Sequence, residues 1–487
     1  MLLICTVLFP IIAGILVASV KGKEGRANRS FCTAVTLITD LLGMLSVFFG
    51  KTVTVLSFSE NVTMTFSLDT IGKYFMVAVM ILYTAVSFYA FEYMKAEERD
   101  PVFFAFYYVS FGALLSVCEA GNLVTVYFCF EMATLTSVPL VLHEMTKEAV
   151  SAGLKYLFYS IGGALMGLLG VFFVYFYSSA GKEFVPGGFL DMNKVAGHEG
   201  LLLAMIFVAI VGFGTKAGMY PMHGWLPTAH PVAPAPASAL LSGIIAKAGI
   251  IAVIRLVFYS VGAGFLRGTW VQYAWMSLAM LTIFMGSMMA FLEKNLKKRL
   301  AYSTISQISY IMLGLSLLSE GGLEGGLLHL LSHASSKGCL FLTAGVFIYK
   351  LGKRDVADLK GVGKQMPVTM WCFMIASLSL VGIPPMGGFL SKWYIASAAV
   401  GDGMGVFSVL PPVILLVSAL LTAGYLFPVA IDAFFPGKDF DVSSLKKAEP
   451  NALMTVPMIA LCIVALIVGV FGNGILSLLG NVFTKLF

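Results

Sequence analysis

The segment from Val368 to Ala398 reads VTMWCFMIASLSLVGIPPMGGFLSKWYIASA, 31 residues with Lys392 as its single charge. About 20 apolar residues in a helix cross the hydrocarbon of a bilayer, so this segment is long enough to span. It cannot span as one regular helix. The run Gly382-Ile383-Pro384-Pro385-Met386-Gly387-Gly388 sets two prolines, which lack amide donors, among flexible glycines. Backbone groups freed at membrane depth are tolerated only beside protein or water. A broken transmembrane helix with a lysine just past the break is therefore a transport feature.

The whole chain has the same character. Of 487 residues, 59% are apolar and 11% charged, against about 25% charged in a soluble domain. Mean hydropathy is +0.92. These values imply an all-α polytopic membrane protein and exclude a secreted disulfide scaffold, a disordered chain and a nucleic-acid binder. The net charge of +6 is carried by loop lysines rather than a phosphate-binding groove. Seven cysteines are scattered through apolar runs without a C-x-x-C pair, which leaves no framework for disulfides, zinc or an iron–sulfur cluster. Gly50-Lys51-Thr52 resembles the end of a phosphate-binding loop, but Leu45 stands where a glycine is needed. Gly212-Phe213-Gly214 lies in an apolar helix, not after a soluble strand. No cofactor site, metal site or catalytic set is read. Met1 to Val20 lacks the basic start and cleavage pattern of a signal peptide and reads as a first span.

Apolar segments place fourteen spans near 2–20, 31–50, 71–93, 102–119, 122–142, 154–178, 200–219, 237–259, 271–292, 302–319, 325–349, 368–398, 407–434 and 452–471. With both termini outside, the cytoplasmic loops hold 20 Lys/Arg and the outer segments six, Lys182 among the latter. The chain divides into three N-terminal spans (1–101), two five-helix units (102–260 and 271–434), and a last span with a short tail (435–487). Spans 4–8 and 9–13 each count five. Five is odd, so the second unit enters the membrane inverted relative to the first. Lys216 and Lys392 then occupy the fourth helix of each unit, and both helices are expected to be broken. This is the layout of an inverted-repeat transporter, although no residue-level match between the halves is evident.

Charges inside the spans are the strongest functional signal. Each costs roughly 2.5–3.5 kcal/mol at a helix centre, and packing alone never requires it. Glu131 lies in span 5; Lys216 follows Gly212 and Gly214 in span 7; Lys247 is central in span 8. In span 11, His329, His333 and Lys337 recur every four residues and share one helical face. Lys392 follows the break in span 12. Buried lysines with histidines between them suit proton relay, because small movements of partners load or discharge them. The helix breaks are assigned to Gly212 and Gly214 in span 7, to Pro221 just after it, and to Pro384 and Pro385 in span 12.

Several residues are read as structural. Arg255, near a helix end, is expected to snorkel. Gly163 and Gly167 serve helix packing, Glu293 to Arg299 form an interfacial charged loop, and Lys155 anchors span 6. Asp40 in span 2 has no partner evident in sequence.

Four stretches together resemble a known family. Lys216-Ala-Gly-Met-Tyr-Pro221-Met-His223-Gly-Trp225-Leu226-Pro227-Thr-Ala-His230 is similar to its signature of a lysine followed by Pro-x-His-x-Trp-Leu-Pro. Ser238 to Gly243 followed by Lys247, His329 to Lys337, and Gly382 to Lys392 complete the set. They resemble the antiporter-like subunits shared by respiratory complex I, membrane-bound hydrogenases and Mrp cation/proton antiporters. The resemblance implies Glu131 and Lys216 as a charged pair, Lys247 as the next link, His329, His333 and Lys337 as a central relay, and Lys392 as the terminal proton-exchange residue. It implies a subunit of the cell inner membrane of a prokaryote, surrounded by other membrane subunits and lipid, moving protons. Peripheral redox subunits and sodium are further candidate partners. One complex I branch carries glutamate where Lys392 stands, and the largest branch carries a long lateral helix that is expected to be missing here, since only about fifteen residues follow span 14. The span 8 motif looks closer to Mrp and hydrogenase members. Two other function classes remain, a self-sufficient cation/proton antiporter and a structural membrane subunit.

Overall fold

Caps written into the sequence start many of the helices. In the computed structural model, which describes residues 1–20, 22, 25–59, 62–179, 183–437, 440, 441 and 445–487, the side chains of Asn28, Asp69, Asn122, Thr146 and Asn295 each accept from the amide three residues on. These bonds satisfy donors that a helix start leaves open. Lys21, Lys23, Lys182 and Lys438, which entered the charge count over the loops, lie outside the described residues.

The N-terminal part comprises α1 (Leu2–Val17), α2 (Arg29–Phe49), a hairpin of β1 (Val53–Ser59) and β2 (Val62–Phe66), and α3 (Thr70–Tyr93). Next come α4 (Asp100–Cys118), α5 (Leu123–Val141), α6 (Lys147–Phe176), the short α7 (Met192–Val195) and α8 (Glu199–Lys216). A turn then leads to α9 (Leu226–Val232), α10 (Ala235–Gly243), α11 (Ala248–Leu256) and α12 (Ala263–Leu266). The second half holds α13 (Trp270–Leu292), α14 (Leu296–Ser316), α15 (Glu320–Leu351), α16 (Val362–Gln365), α17 (Pro367–Val381), α18 (Gly387–Gly401) and α19 (Val406–Phe434). The chain finishes with α20 (Ala452–Val470) and α21 (Gly472–Leu486).

Among the described residues, ten helices are long and apolar enough to cross a membrane. The protein is a largely helical integral membrane protein. The central helix is α15, which packs against α3, α10, α14, α17, α18 and α20. It buries His329, His333 and Lys337 as well as its leucines. Glycines permit the closest approaches. A Cβ on Gly212 would come 2.5 Å from the carbonyl of Gly163, so α6 and α8 meet backbone to backbone.

Four sequence expectations need correction. The chain is not wholly helical: β1 and β2 pair antiparallel with Val53 opposite Phe66, and the period-2 pattern VTVLSFS is the signal that an apolar-span search passes over. The C-terminal tail is the helix α21, which buries Leu476, Leu479, Phe483 and Leu486 at helical spacing. Arg255 does not snorkel but is 1% exposed, with NH1 and NH2 donating to Asp69 at 2.7 and 2.6 Å. Burial would lift the Asp69 carboxyl, but the Arg255 charge and hydrogen bonds, with the Gly72 amide, hold it below the usual carboxylate range. The cysteines are also not all scattered in space, because Cys339 and Cys462 bring their Sγ atoms within 3.5 Å beside the Cys372 carbonyl.

Replacing Asp69 by Leu strands the buried Arg255 charge and should cost about 3–5 kcal/mol. The double variant Asp69→Leu/Arg255→Leu should recover most of it. Thermal unfolding of the detergent-solubilised protein, followed by size-exclusion fluorescence, measures both.

Candidate functional site

α8 ends at Lys216 because the chain turns out of helix at Ala217 and Gly218, the latter at φ +78°. Gly212 and Gly214 lie inside the regular helix and do not break it. Gly212 makes the close approach to α6, and Gly214 faces Met219 and Met312. The interruption is the turn around Pro221, and α9 resumes at Leu226. Trp225 Nε1 donates 2.9 Å to the Thr215 carbonyl, covering an acceptor that the end of α8 leaves free.

The side chain of Lys216 is fully buried. Its Nζ donates to Thr134 Oγ1 at 2.5 Å and to the Phe130 carbonyl at 3.4 Å, and stands 4.7 Å over the Phe130 ring. Glu131, half-buried on the same helix α5, is near enough to feel the Lys216 charge. The two are not in direct contact, since the ion pairs among the described residues are Arg26–Asp100, Lys95–Glu92, Arg255–Asp69 and Lys298–Glu293. The expected charged pair is thus an adjacency, with Thr134 as the immediate partner of the lysine.

Between α10 and α11 the helix tightens at Ile245–Lys247, a second kind of interruption that the sequence reading did not anticipate. There Lys247 donates to the Ser242 carbonyl, and its Nζ meets His333 Nδ1 at 2.6 Å. The following turn packs on the stem of Lys216, where a Cβ on Gly249 would lie 3.4 Å from the Lys216 Cβ. The spacing of His329, His333 and Lys337 does place them along one side of α15. The imidazoles of His329 and His333 are 6.0 Å apart. Lys337 turns toward α14 and donates 3.0 Å to the Leu300 carbonyl.

At the second break, α17 stops at Gly382, φ +91°, and α18 starts at Gly387. Pro384 and Pro385 lie in the turn between them. Lys392 Nζ reaches back to the Leu380 and Val381 carbonyls at 2.6 and 2.9 Å, acceptors at the end of α17. Its neighbour Ser391 bonds His329 Nδ1 at 2.9 Å. The Tyr310 ring bridges the two helices, 5.0 Å from Lys392 Nζ and 5.1 Å from the His329 ring.

The sequence reading missed five buried polar residues, four of them in or beside this row and the fifth, Glu119, at the C-terminal end of α4. Tyr310 and Ser391 connect Lys392 to His329. Lys297, placed by the sequence in a charged loop, is 5% exposed and donates to the Pro231 and Ala233 carbonyls at the end of α9. It shares the inward face of α14 with Leu300, Ala301 and Thr304, a spacing visible in sequence. His230 is fully buried with its ring 4.6 Å from Phe341, and neither ring nitrogen has a hydrogen-bond partner among the described residues. Glu119, also fully buried, has both carboxylate oxygens in the same condition. Among the described residues, no three His, Cys, Asp or Glu side chains are placed to hold a metal. What the row can do chemically is pass protons between neighbouring bases, most directly across the Lys247–His333 contact.

The model of a family described as NADH:quinone oxidoreductase/Mrp antiporter, transmembrane, matches residues 120–422. Subunit N of the NADH-quinone oxidoreductase of Desulforudis audaxviator is 32% identical over 423 residues, covering 84% of this chain and 82% of that protein. Hydrogenase-4 component B of Escherichia coli is also 32% identical, over 352 residues covering 69% of this chain and 51% of that protein. A chain of the membrane-bound sulfane sulfur reductase, an archaeal respiratory membrane complex, shares the fold with a TM-score of 0.85 at 22% identity, covering 99% of this chain and 97% of that one. The two curated relatives, equal in identity, lie on either side of the division between complex I and hydrogenase members.

Thr134→Val removes the nearest acceptor of a buried ammonium and should cost about 1–3 kcal/mol, while Thr134→Ser should be close to neutral. The midpoint of thermal unfolding in mild detergent distinguishes the two.

Proposed function

This chain belongs to the NADH:quinone oxidoreductase/Mrp antiporter transmembrane family, and we propose that it is a proton-translocating subunit of a multisubunit membrane complex. The observation that carries this reading is the 2.6 Å contact between Lys247 Nζ and His333 Nδ1 inside the bundle. A lysine and an imidazole at that distance share one proton, which either can hold. Lys247 lies in the first five-helix unit and His333 in the second, so the contact joins the two halves.

In this reading the chain spans the membrane fourteen times with both termini outside, in the cell inner membrane of a prokaryote. Spans 4–8 and 9–13 form the inverted units, at 102–260 and 271–434, between the three N-terminal spans and the C-terminal segment from 435. Glu131 biases Lys216 by its charge; Lys216 passes the proton toward Lys247; His333 and His329 carry it to Lys392; Lys337 sets the charge felt by the others. Protonating all the lysines at once would set like charges against one another in a low-dielectric interior. The row therefore holds few protons, and one arriving at an end drives another onward. Both helix breaks support this role, since each places a lysine against carbonyls or hydroxyls in the membrane interior.

Partners are other membrane subunits and lipid, with the driving force supplied by peripheral redox subunits or by exchange against sodium. Subunits that co-purify in mild detergent decide between them. Redox proteins mean a redox-driven pump, and small membrane subunits alone mean an Mrp-type exchanger. Coupled exchange by the isolated chain would instead make it a self-sufficient antiporter.

Lys216→Ala and Lys392→Ala should each lower proton uptake by proteoliposomes of the native complex at least about tenfold, with the complex still assembled on a native gel. Undiminished uptake in both variants would reduce the chain to a structural subunit.

A further inference from the structure

Lys392 differs from the other lysines of the row. Lys216, Lys247 and Lys337 are fully buried, whereas Lys392 is partly exposed. Its Nζ spends two donors on the Leu380 and Val381 carbonyls, and no carboxylate pairs with it among the described residues. An ammonium has a third donor. The group that stands over Nζ is the Tyr310 ring, its centroid 5.0 Å away, inside the range of about 6 Å over which an aromatic face attracts a cation. That ring is fully buried, and it is tethered. Tyr310 Oη donates to Ser418 Oγ on α19 at 2.5 Å. Ser418 Oγ in turn meets Ser287 Oγ on α13 at 2.5 Å and Ser306 Oγ on α14 at 3.2 Å, and Ser287 and Ser306 bond each other at 2.7 Å. All three serines are fully buried.

We propose that Tyr310 is a positioning residue for proton exchange at Lys392, its ring face serving as the ammonium's third partner, and that Ser418 holds that ring in place. This rests on the reading of Lys392 as the exchange residue of the row. A ring face attracts the ammonium and not the neutral amine, so the contact matters while Lys392 carries the proton. On its other side the Tyr310 ring lies 5.1 Å from the His329 ring, and it therefore stands between the exchange residue and the histidines. Its place depends on the phenol. Ser306 and Tyr310 are four residues apart and share one face of α14, and Ser418 reaches both from α19. Hydroxyls bonded between helices commonly hold the helices together. Here the cluster also ends on the one phenol whose ring faces Lys392, so the far end of the ring axis is fixed by three helices. A role in helix packing alone would make the electron density of that ring irrelevant to transport.

The test is proton uptake by proteoliposomes of the native complex. Tyr310→Leu, which removes the ring, should lower uptake about tenfold, the weight of a cation–π contact away from bulk water. Tyr310→Phe and Ser418→Ala each delete the tether and should lower it about threefold, toward the low end of what one hydrogen bond contributes. The two together should lose no more than either alone, because both remove the same bond. Ser418→Thr keeps the acceptor and should keep most of the uptake. In the Tyr310→Phe background, replacing that phenylalanine by its mono-, di- and trifluoro forms should lower uptake step by step, since fluorine drains the ring face with little change of size. That series decides even where Tyr310→Leu fails to assemble. Lys392→Ala separates the two levels. Undiminished uptake in Lys392→Ala ends the reading of the row itself. Lowered uptake there, combined with a flat fluorine series, no loss in Tyr310→Leu, or additive losses in Tyr310→Phe and Ser418→Ala, overturns the role of Tyr310 alone.

Discussion

A lysine ammonium at membrane depth has three donors and no bulk water to receive them, and here the backbone and hydroxyls of neighbouring helices stand in. Lys392 takes the carbonyls of Leu380 and Val381, available because α17 stops at Gly382. Lys247 takes the Ser242 carbonyl beside its own tightened turn, and Lys297 takes those of Pro231 and Ala233 where α9 runs out. Three of the buried lysines thus take acceptors at helix ends or breaks, while Lys216 and Lys337 take Thr134 Oγ1 and the Leu300 carbonyl from the unbroken α5 and α14. An unbroken helix spends its carbonyls on its own amides, so an interrupted one is the natural neighbour for an ammonium without a carboxylate.

That solution shapes the bundle. α15 is central, and among the described residues its histidines and Lys337 find their partners on the helices packed around it: Lys247 beside α10, Leu300 on α14, Ser391 on α18. Ion pairs with carboxylates lie elsewhere. Arg255 with Asp69 joins the C-terminal end of α11 to the start of α3, and Lys298 with Glu293 sits at the start of α14. A row of bases held by neutral acceptors is easier to discharge than a row of ion pairs, since no partner carboxylate is left with an unbalanced charge when a proton departs. The electrostatic influence of Glu131 on Lys216 from a distance is consistent with that economy of charge.

Much of the fold was legible because membrane physics writes plainly. Long apolar runs can only be helices, and prolines among glycines can only interrupt them. The break after Val381 was visible in Gly382 to Gly388. The interruption at Lys247 was not, because Ile244-Ile245-Ala246-Lys247 contains no helix breaker and the tightening belongs to the Ser242 and His333 contacts. Gly212 and Gly214 misled in the opposite sense, since a glycine inside a helix can mark a close neighbour as readily as a weak point. The strands β1 and β2 were not legible as spans because each is too short and too polar to form an apolar run of helix length.

The sequence by itself determined that the chain is a helical membrane protein with charges inside its spans, and which residues carry them. Composition and periodicity are local, and the cost of an intramembrane charge does not depend on where its partner lies. The tertiary structure alone decided how those residues are connected. It set Thr134 rather than Glu131 against Lys216, brought His333 to Lys247 from 86 positions away, and turned Arg255 inward onto Asp69 across 186. Such partners are chosen by packing between distant helices, a property of the assembled bundle that no single segment contains.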